Sequence, residues 1–432
     1  MTVDKKDIKT LLSNHVPPHM YNSGVFKAGV TPIFYSGQYW DNKETEAAID
    51  AFLNGKWLVS GEYVQKFEQE FNKKFNHKYS LMVNSGSSAN LVMIAALKKR
   101  FGWADDSEII VSPTGFPTTI SVIYQNRLKP VFADIEWDTL NFDLGLVENS
   151  ISPKTEAIFL SPVLGNPPDI DRLVYICGIY KIKLILDNCD SLGSKWNDEY
   201  LSRYSVASSS SFYPAHHIST GEGGMISTDD KELHKLARSF STWGRDCICV
   251  GANNLRGDGT CGNRFDKWLD DYDGVVDHRY IFSNMGYNLK PLDLQGAIGS
   301  VQLSKFNEIE YRRNVSKSTI ENIVTGNING VVGVYEHELA SPCWFGTPFI
   351  CETSALKHSL VQHFEKHKIQ TRNYFSGNIL LHPGFALLGD YRDYPNANKV
   401  LDKVFFLGAA PHYTQEVFSY IEDVVKQFQY EQ

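Results

Sequence analysis

Long apolar runs, basic stretches and a cysteine framework are all missing from this chain of 432 residues. Nowhere does it stay apolar for the ~18 residues that a membrane helix needs, and its start, MTVDKKDIKTLLSNHVPPHM, has no apolar stretch ahead of a cleavage site. The expectation is a cytoplasmic protein with no membrane partner. Lysine and arginine number 42 against 50 aspartate and glutamate, a net charge of -8 with no clustered basic face, which excludes nucleic acid as the natural partner. Seven cysteines are irregularly spaced and too few to staple a chain of this size. Repeats and low-complexity segments are absent too. One local absence matters most: no lysine occurs between Lys195 and Lys231.

What is present describes a large globular protein. Hydrophobic residues make up 42% and aromatics 13%, enough for an extensive core and two or three domains. The first ~40 residues are polar and carry Pro17, Pro18 and Pro32, so residues 1–40 read as an arm packed on the body or on a partner subunit. Short apolar runs at Ser80 to Val83, Glu108 to Val111, Pro130 to Ala133, Ala157 to Leu160 and Lys183 to Leu186 read as buried strands, each followed by room for a helix. That rhythm predicts an α/β fold with a mostly parallel, doubly wound sheet over residues 41–300. Residues 301–432 read as a smaller C-terminal α+β domain ending in a helix over Gln415 to Tyr430.

Three features carry chemistry. The run NSGSSAN, Asn84 to Asn90, lies between a predicted strand and a predicted helix, where the backbone amides of Gly86 and Ser87 would face a phosphate at a helix N-terminus. Taken alone it is also an ordinary strand-to-helix turn. Asp187 ends the strand KLILD at the sheet edge where open α/β folds bind ligands; it suits either a protonated ring nitrogen or the cap of the following turn. Cys189, Cys247, Cys249 and Cys261 form the third feature, the last three in a glycine-rich loop. Four thiolates could hold zinc or a two-iron, two-sulfur cluster, or be unrelated buried thiols, and spacing does not choose among these.

The segment Ser211 to Gly224, SFYPAHHISTGEGG, resembles the cofactor-lysine segment of the sugar-modifying branch of the aspartate aminotransferase superfamily, with His216 where that pattern has its lysine. An imidazole cannot bond to the aldehyde of pyridoxal phosphate (PLP) as an amine does, so the resemblance implies a cofactor held without a covalent link and deoxygenation in place of transamination. NSGSSAN, GFPTT, LGNP, DNCDSLGS, WGRDC, GYNLK and TRNYFSGN are similar to the CDP-4-keto-6-deoxyhexose 3-dehydrases, a group within the DegT/DnrJ/EryC/StrS sugar aminotransferase-like family. That resemblance implies the PLP-dependent transferase fold type I and pyridoxamine phosphate (PMP) as the working cofactor. Gly86, Ser87 and Ser211 would hold its phosphate, Phe116 would stack on its ring, Asp187 would pair with the ring nitrogen, and Asp190 would lie near the ring hydroxyl. His216 would be the catalytic base, its ordinary pKa of ~6.5 suiting the task, with His217 in support at most. Asn288 would reach the phosphate of the neighbouring subunit, making a homodimer.

The resemblance further implies a 2Fe-2S cluster on the four cysteines, fed by a separate NADH-dependent flavin and iron-sulfur reductase, although Gly251 to Thr260 lengthens the interval before Cys261. The expected reaction removes the 3-hydroxyl of a CDP-linked 4-keto-6-deoxyhexose in the biosynthesis of 3,6-dideoxysugars and O-antigen lipopolysaccharide. Arg372 is a candidate substrate contact. One alternative is the cluster-free GDP-4-keto-6-deoxymannose 3-dehydratase of the colitose type, which reloads its cofactor with glutamate. The other is a catalytically silent binding protein on the same fold.

Overall fold

The computed structural model describes residues 26–247, 264–266 and 268–429. Each predicted apolar run is a strand: β1 (Tyr79–Val83), β2 (Glu108–Val111), β3 (Lys129–Phe132), β4 (Thr155–Leu160) and β5 (Lys183–Asp187). After a small ribbon of β6 (Lys195–Trp196) and β7 (Glu199–Tyr200) come β8 (Ala207–Ser211) and β9 (Gly224–Thr228). Seven of these form one sheet in the order β1-β9-β8-β5-β4-β2-β3. Only β9 runs against the others, because it pairs antiparallel with both of its neighbours. The fold is therefore the expected mostly parallel α/β sheet.

Strand β8, ASSSS, has no apolar pattern, yet all five residues are buried. Two of its hydroxyls are hydrogen-bonded: Ser209 Oγ donates to Asp187 and Ser211 Oγ accepts from Tyr213 N at 3.4 Å. A serine strand costs little when its polar atoms are bonded, and small side chains leave space for a helix. The helix Gly86–Phe101 fills that space, burying Ala89, Val92, Met93, Ala96 and Leu97. Its start is fixed by Ser85, whose Oγ accepts from Ser88 N, and its end by Gly102 in the left-handed region at φ +69°.

A second, antiparallel sheet has the order β10-β12-β14-β13, with β10 Val331–Val332, β12 Gly346–Cys351, β13 Arg372–Asn373 and β14 Val404–Gly408. The helix Phe306–Asn327 and the final helix Gln415–Lys426, shorter than expected by four residues, pack with it around Phe349, Phe364 and Phe405. No helix among the described residues is long and apolar enough to cross a membrane. The C-terminal ends of β1, β5 and β8 come out at one edge of the large sheet, facing the loop before β12 and the strands β13 and β14.

Candidate active site

A cavity of about 680 Å³ opens at that edge, lined from the large sheet by Gly86, Ser87, Phe116, Asp187, Cys189, Asp190, Ser211 and His216. The second sheet and the loop before it contribute Phe345, Arg372, Asn373, Phe375 and Phe406. Residues spread over most of the sequence thus meet in one place. No lysine is among the described residues lining it.

Asp187 sits at the floor, 4% exposed, and receives four hydrogen bonds. Thr119 Oγ1 donates to Oδ2 at 2.6 Å and Asn90 Nδ2 at 2.8 Å; Ser209 Oγ donates to Oδ1 at 3.3 Å and the backbone N of Cys189 at 3.2 Å. The last of these is the turn cap that the sequence offered as an alternative role. Asp187 also lines the cavity, which is where the ring-nitrogen role would place it. Sequence reasoning does not single out Asn90, Thr119 or Ser209. Asn90 lies inside the NSGSSAN run and projects four residues along the helix from Gly86, a spacing that could have flagged it.

The phosphate-loop expectation has a steric basis. A Cβ at Gly86 would overlap the Cβ of Ser211 and come 2.8 Å from Ser211 Oγ and 3.1 Å from Cys189 Sγ. Only glycine allows the helix N-terminus to lie against β8. Ser87 Oγ donates to Thr118 Oγ1 at 3.1 Å, so hydroxyls and the first turn of the helix converge on one corner, a ready anion site. Phe116, half exposed at 50%, is not a core residue; its ring meets Phe375 edge-on at 6.0 Å and stands over the cavity.

His216 stands at the wall opposite. Its Nδ1 is 3.3 Å from Asp190 Oδ1, near enough for charge attraction but not aligned as a hydrogen bond. Its ring lies 5.3 Å from that of Phe345. Burial raises the Asp190 carboxyl above its ordinary range, and the adjacent His216 pulls it back down. His217 points the other way: its Nε2 is 2.8 Å from the Cys343 carbonyl, and burial, aided by Arg313, holds it neutral. Its contacts are structural. At the mouth, Arg372 stacks on Tyr35 at 4.2 Å.

Asn288 does not line this cavity. It bridges to Thr242 at the surface and accepts from Lys290, whose ammonium lies 3.3 Å from the centre of the Trp243 ring. Of the four cysteines, Cys189 and Cys247 lie among the described residues. Cys189 lines the cavity, its thiol pushed well up by burial and by the neighbouring Asp187 and Asp190. Cys247 lies in the segment after Arg245, which bridges to Phe282. Cys249 and Cys261 lie outside the described residues. Among the described residues no three His, Cys, Asp or Glu side chains are grouped to hold a metal.

A glycine-only cradle at a helix N-terminus, a carboxylate fixed at the floor and an exposed aromatic above it fit a phosphorylated pyridine cofactor. Fold and site together define a PLP-type sugar-modifying enzyme. The chain belongs to the DegT/DnrJ/EryC1/StrS aminotransferase family, whose pattern matches residues 40–428. It is 34% identical over 93% of its length to the lipopolysaccharide biosynthesis protein RfbH of Salmonella typhimurium, covering 93% of that protein. With dTDP-4-dehydro-2,6-dideoxy-D-glucose 3-dehydratase of Saccharopolyspora spinosa it shares 35% identity, over 99% of this chain and 93% of that one. Among solved structures, Escherichia coli GDP-4-keto-6-deoxy-D-mannose-3-dehydratase with bound hydrated PLP superposes with a TM-score of 0.80 at 28% identity, over 92% of this chain and all of that one.

Proposed function

We propose that this protein is a PMP-dependent 3-dehydratase that removes the 3-hydroxyl of a nucleotide-activated 4-keto-6-deoxyhexose. One observation carries the reading: an imidazole, His216, occupies the cavity wall where an aminotransferase of this family needs a lysine. The relatives named as 3-dehydratases act on dTDP and GDP sugars, so the expectation of CDP gives way to a nucleoside-diphosphate sugar whose base is left unassigned.

When bound, PMP supplies an amine that joins the sugar ketone and a ring that accepts electrons. Asp187 would hold its ring nitrogen, Phe116 its face, and Gly86, Ser87 and Ser211 its phosphate. His216 would move the proton: Nδ1 lies beside Asp190, which leaves Nε2 as the accepting atom and gives the imidazolium a nearby counter-charge. The same group can return the proton to the departing hydroxyl, which leaves as water. This chemistry needs no lysine; the two electrons that replace hydroxyl by hydrogen would come from the cofactor amine, leaving PLP and ammonia, with glutamate restoring PMP, so the cluster-free mode calls for no iron-sulfur reductase.

The reductase-coupled version rests on Cys189 at the cavity wall. Two measurements decide between the modes: iron and acid-labile sulfide per chain after anaerobic purification, and turnover of GDP-, dTDP- and CDP-4-keto-6-deoxyhexoses with and without glutamate. Iron-free protein that turns over with glutamate supports the proposal. Turnover that needs two irons per chain and a reductase replaces it with the cluster-dependent mode, and 4-amino sugar as the sole product would overturn dehydration altogether. A homodimer belongs to the same proposal. Asn288 does not line its own cavity, and on the same segment exposed Leu292 bridges to Val59, beside exposed Trp57 and Leu58 in the chain, an apolar surface that a second copy would cover.

A further inference from the structure

Arg313 is 0% exposed, on the helix Phe306–Asn327, and among the described residues no carboxylate is hydrogen-bonded to it. Its guanidinium spends its donors on backbone carbonyls: Nη2 to His216 O at 2.7 Å and Ala215 O at 3.2 Å, Nη1 to Phe345 O at 3.2 Å and Trp344 O at 3.4 Å. Burial lowers its pKa only to about 10, so it remains a cation. Burying a charge this way is costly, and filling the space with an apolar side chain would cost less. What the charge gains is geometry. One planar fork ties together the segment that carries His216 and the segment that carries Phe345, the ring His216 leans on.

The His216 backbone is also tied within its own loop. Its N–H donates to Tyr213 O within a tight turn, and Ala215 O also accepts from Ser36 Oγ at 2.7 Å, which stitches residues near the N-terminus to the same point. One turn along the helix, Lys317 is paired directly with Glu321 and Glu336, whereas Arg313 has among carboxylates only the longer-range attraction of Asp190.

We propose that Arg313 is the positioning residue for the proton transfer assigned to His216, acting on the two loops and not on cofactor or substrate. The inference rests on the functional reading above. It predicts that holoenzyme with Arg313→Met keeps PMP occupancy and KM within about threefold while kcat falls roughly 10²-fold, the scale of a base displaced by about 1 Å. Arg313→Lys, which keeps the charge but not the fork, should recover only part of the loss. In a double-mutant cycle, Arg313→Met should add nothing to His216→Asn. Imidazole NMR of isotope-labelled protein should show the His216 resonances shifted in either Arg313 variant, and this readout is independent of turnover. Unmoved His216 resonances, or an Arg313→Met loss of equal size in the His216→Asn background, overturns the positioning role. Should Arg313→Met fail to fold, full wild-type kcat in Arg313→Lys overturns it equally. A His216→Asn enzyme as active as wild type, with the resonance shift still present, would instead remove the functional reading beneath it.

Discussion

Asn90 Nδ2 donates to Asp187 Oδ2 at 2.8 Å, both side chains buried, while the other amide atom of Asn90, Oδ1, has no partner among the described residues. The bond ties the helix Gly86–Phe101, proposed to hold the cofactor phosphate, to the carboxylate at the floor, so both ends of the proposed ligand site share one support. Asn90→Ala removes a hydrogen bond to a charged group, an interaction worth about 1.5–3 kcal/mol. The expected result is a loss of PMP affinity of about tenfold or more with little change in melting temperature, measured by cofactor titration. Asn90→Asp, which sets a second carboxyl against the first, should be worse. PMP bound as tightly as in wild type would show that Thr119, Ser209 and the Cys189 backbone suffice to hold Asp187.

Gly86 is sterically committed. With Ser211 Oγ 2.8 Å from where a Cβ would stand, Gly86→Ala must push the helix start away from β8. Neither neighbour is a long flexible side chain that could swing aside. PMP dissociation should rise by about an order of magnitude or more, as the oriented amides of the first turn lose contact with the phosphate. Isothermal titration checks this; unchanged affinity would mean that the phosphate sits elsewhere.

Gly178 is the counterpart. It lies inside the helix Ile170–Tyr180, where a Cβ added to it would have no neighbour within 4 Å, and its φ is not left-handed. Gly178→Ala should therefore stabilise the protein by about 0.5–1 kcal/mol and leave turnover unchanged. Urea denaturation and a rate assay on the same preparation test both halves.

The strands legible in the sequence were those with contiguous apolar runs, because a parallel strand buried on both faces must be apolar throughout. Strand β8 escaped that rule: its side chains are small and Ser209 bonds to Asp187, and only the motif at its end marked it. Asp187, Ser211 and His216 were legible because each ends or follows a strand in a recognisable segment. Asn90, Thr119 and Arg313 were not, since they act on other protein groups and their sequence context is that of ordinary helices. The cysteine set is the reverse case. It was conspicuous in sequence, yet two of its members fall outside the described residues, and Cys189, the member at the cavity, is held as a thiol by burial and two carboxyls.

On the same sheet's outer side, two histidines make stability depend on pH. His77 receives the Arg203 guanidinium at Nδ1, 3.4 Å away, and places Nε2 2.8 Å from Ser202 Oγ, a pattern that fits the neutral ring. Burial, reinforced by Arg203, lowers its pKa to about 4; burial likewise takes His234, stacked on Tyr79, down to about 3. In the unfolded chain both titrate near 6.5. Between pH 6.5 and 4 the unfolded state therefore binds more protons than the folded one, so stability rises with pH across this window and is lost as pH falls through it. For His77 alone the full effect is about 3 kcal/mol. The urea midpoint should drop clearly from pH 7.5 to pH 5.0, and His77→Gln should flatten that drop while lowering stability at pH 7.5. A midpoint that does not move between those two pH values in the wild type would mean that these rings gain protons in the folded protein as readily as in the unfolded one.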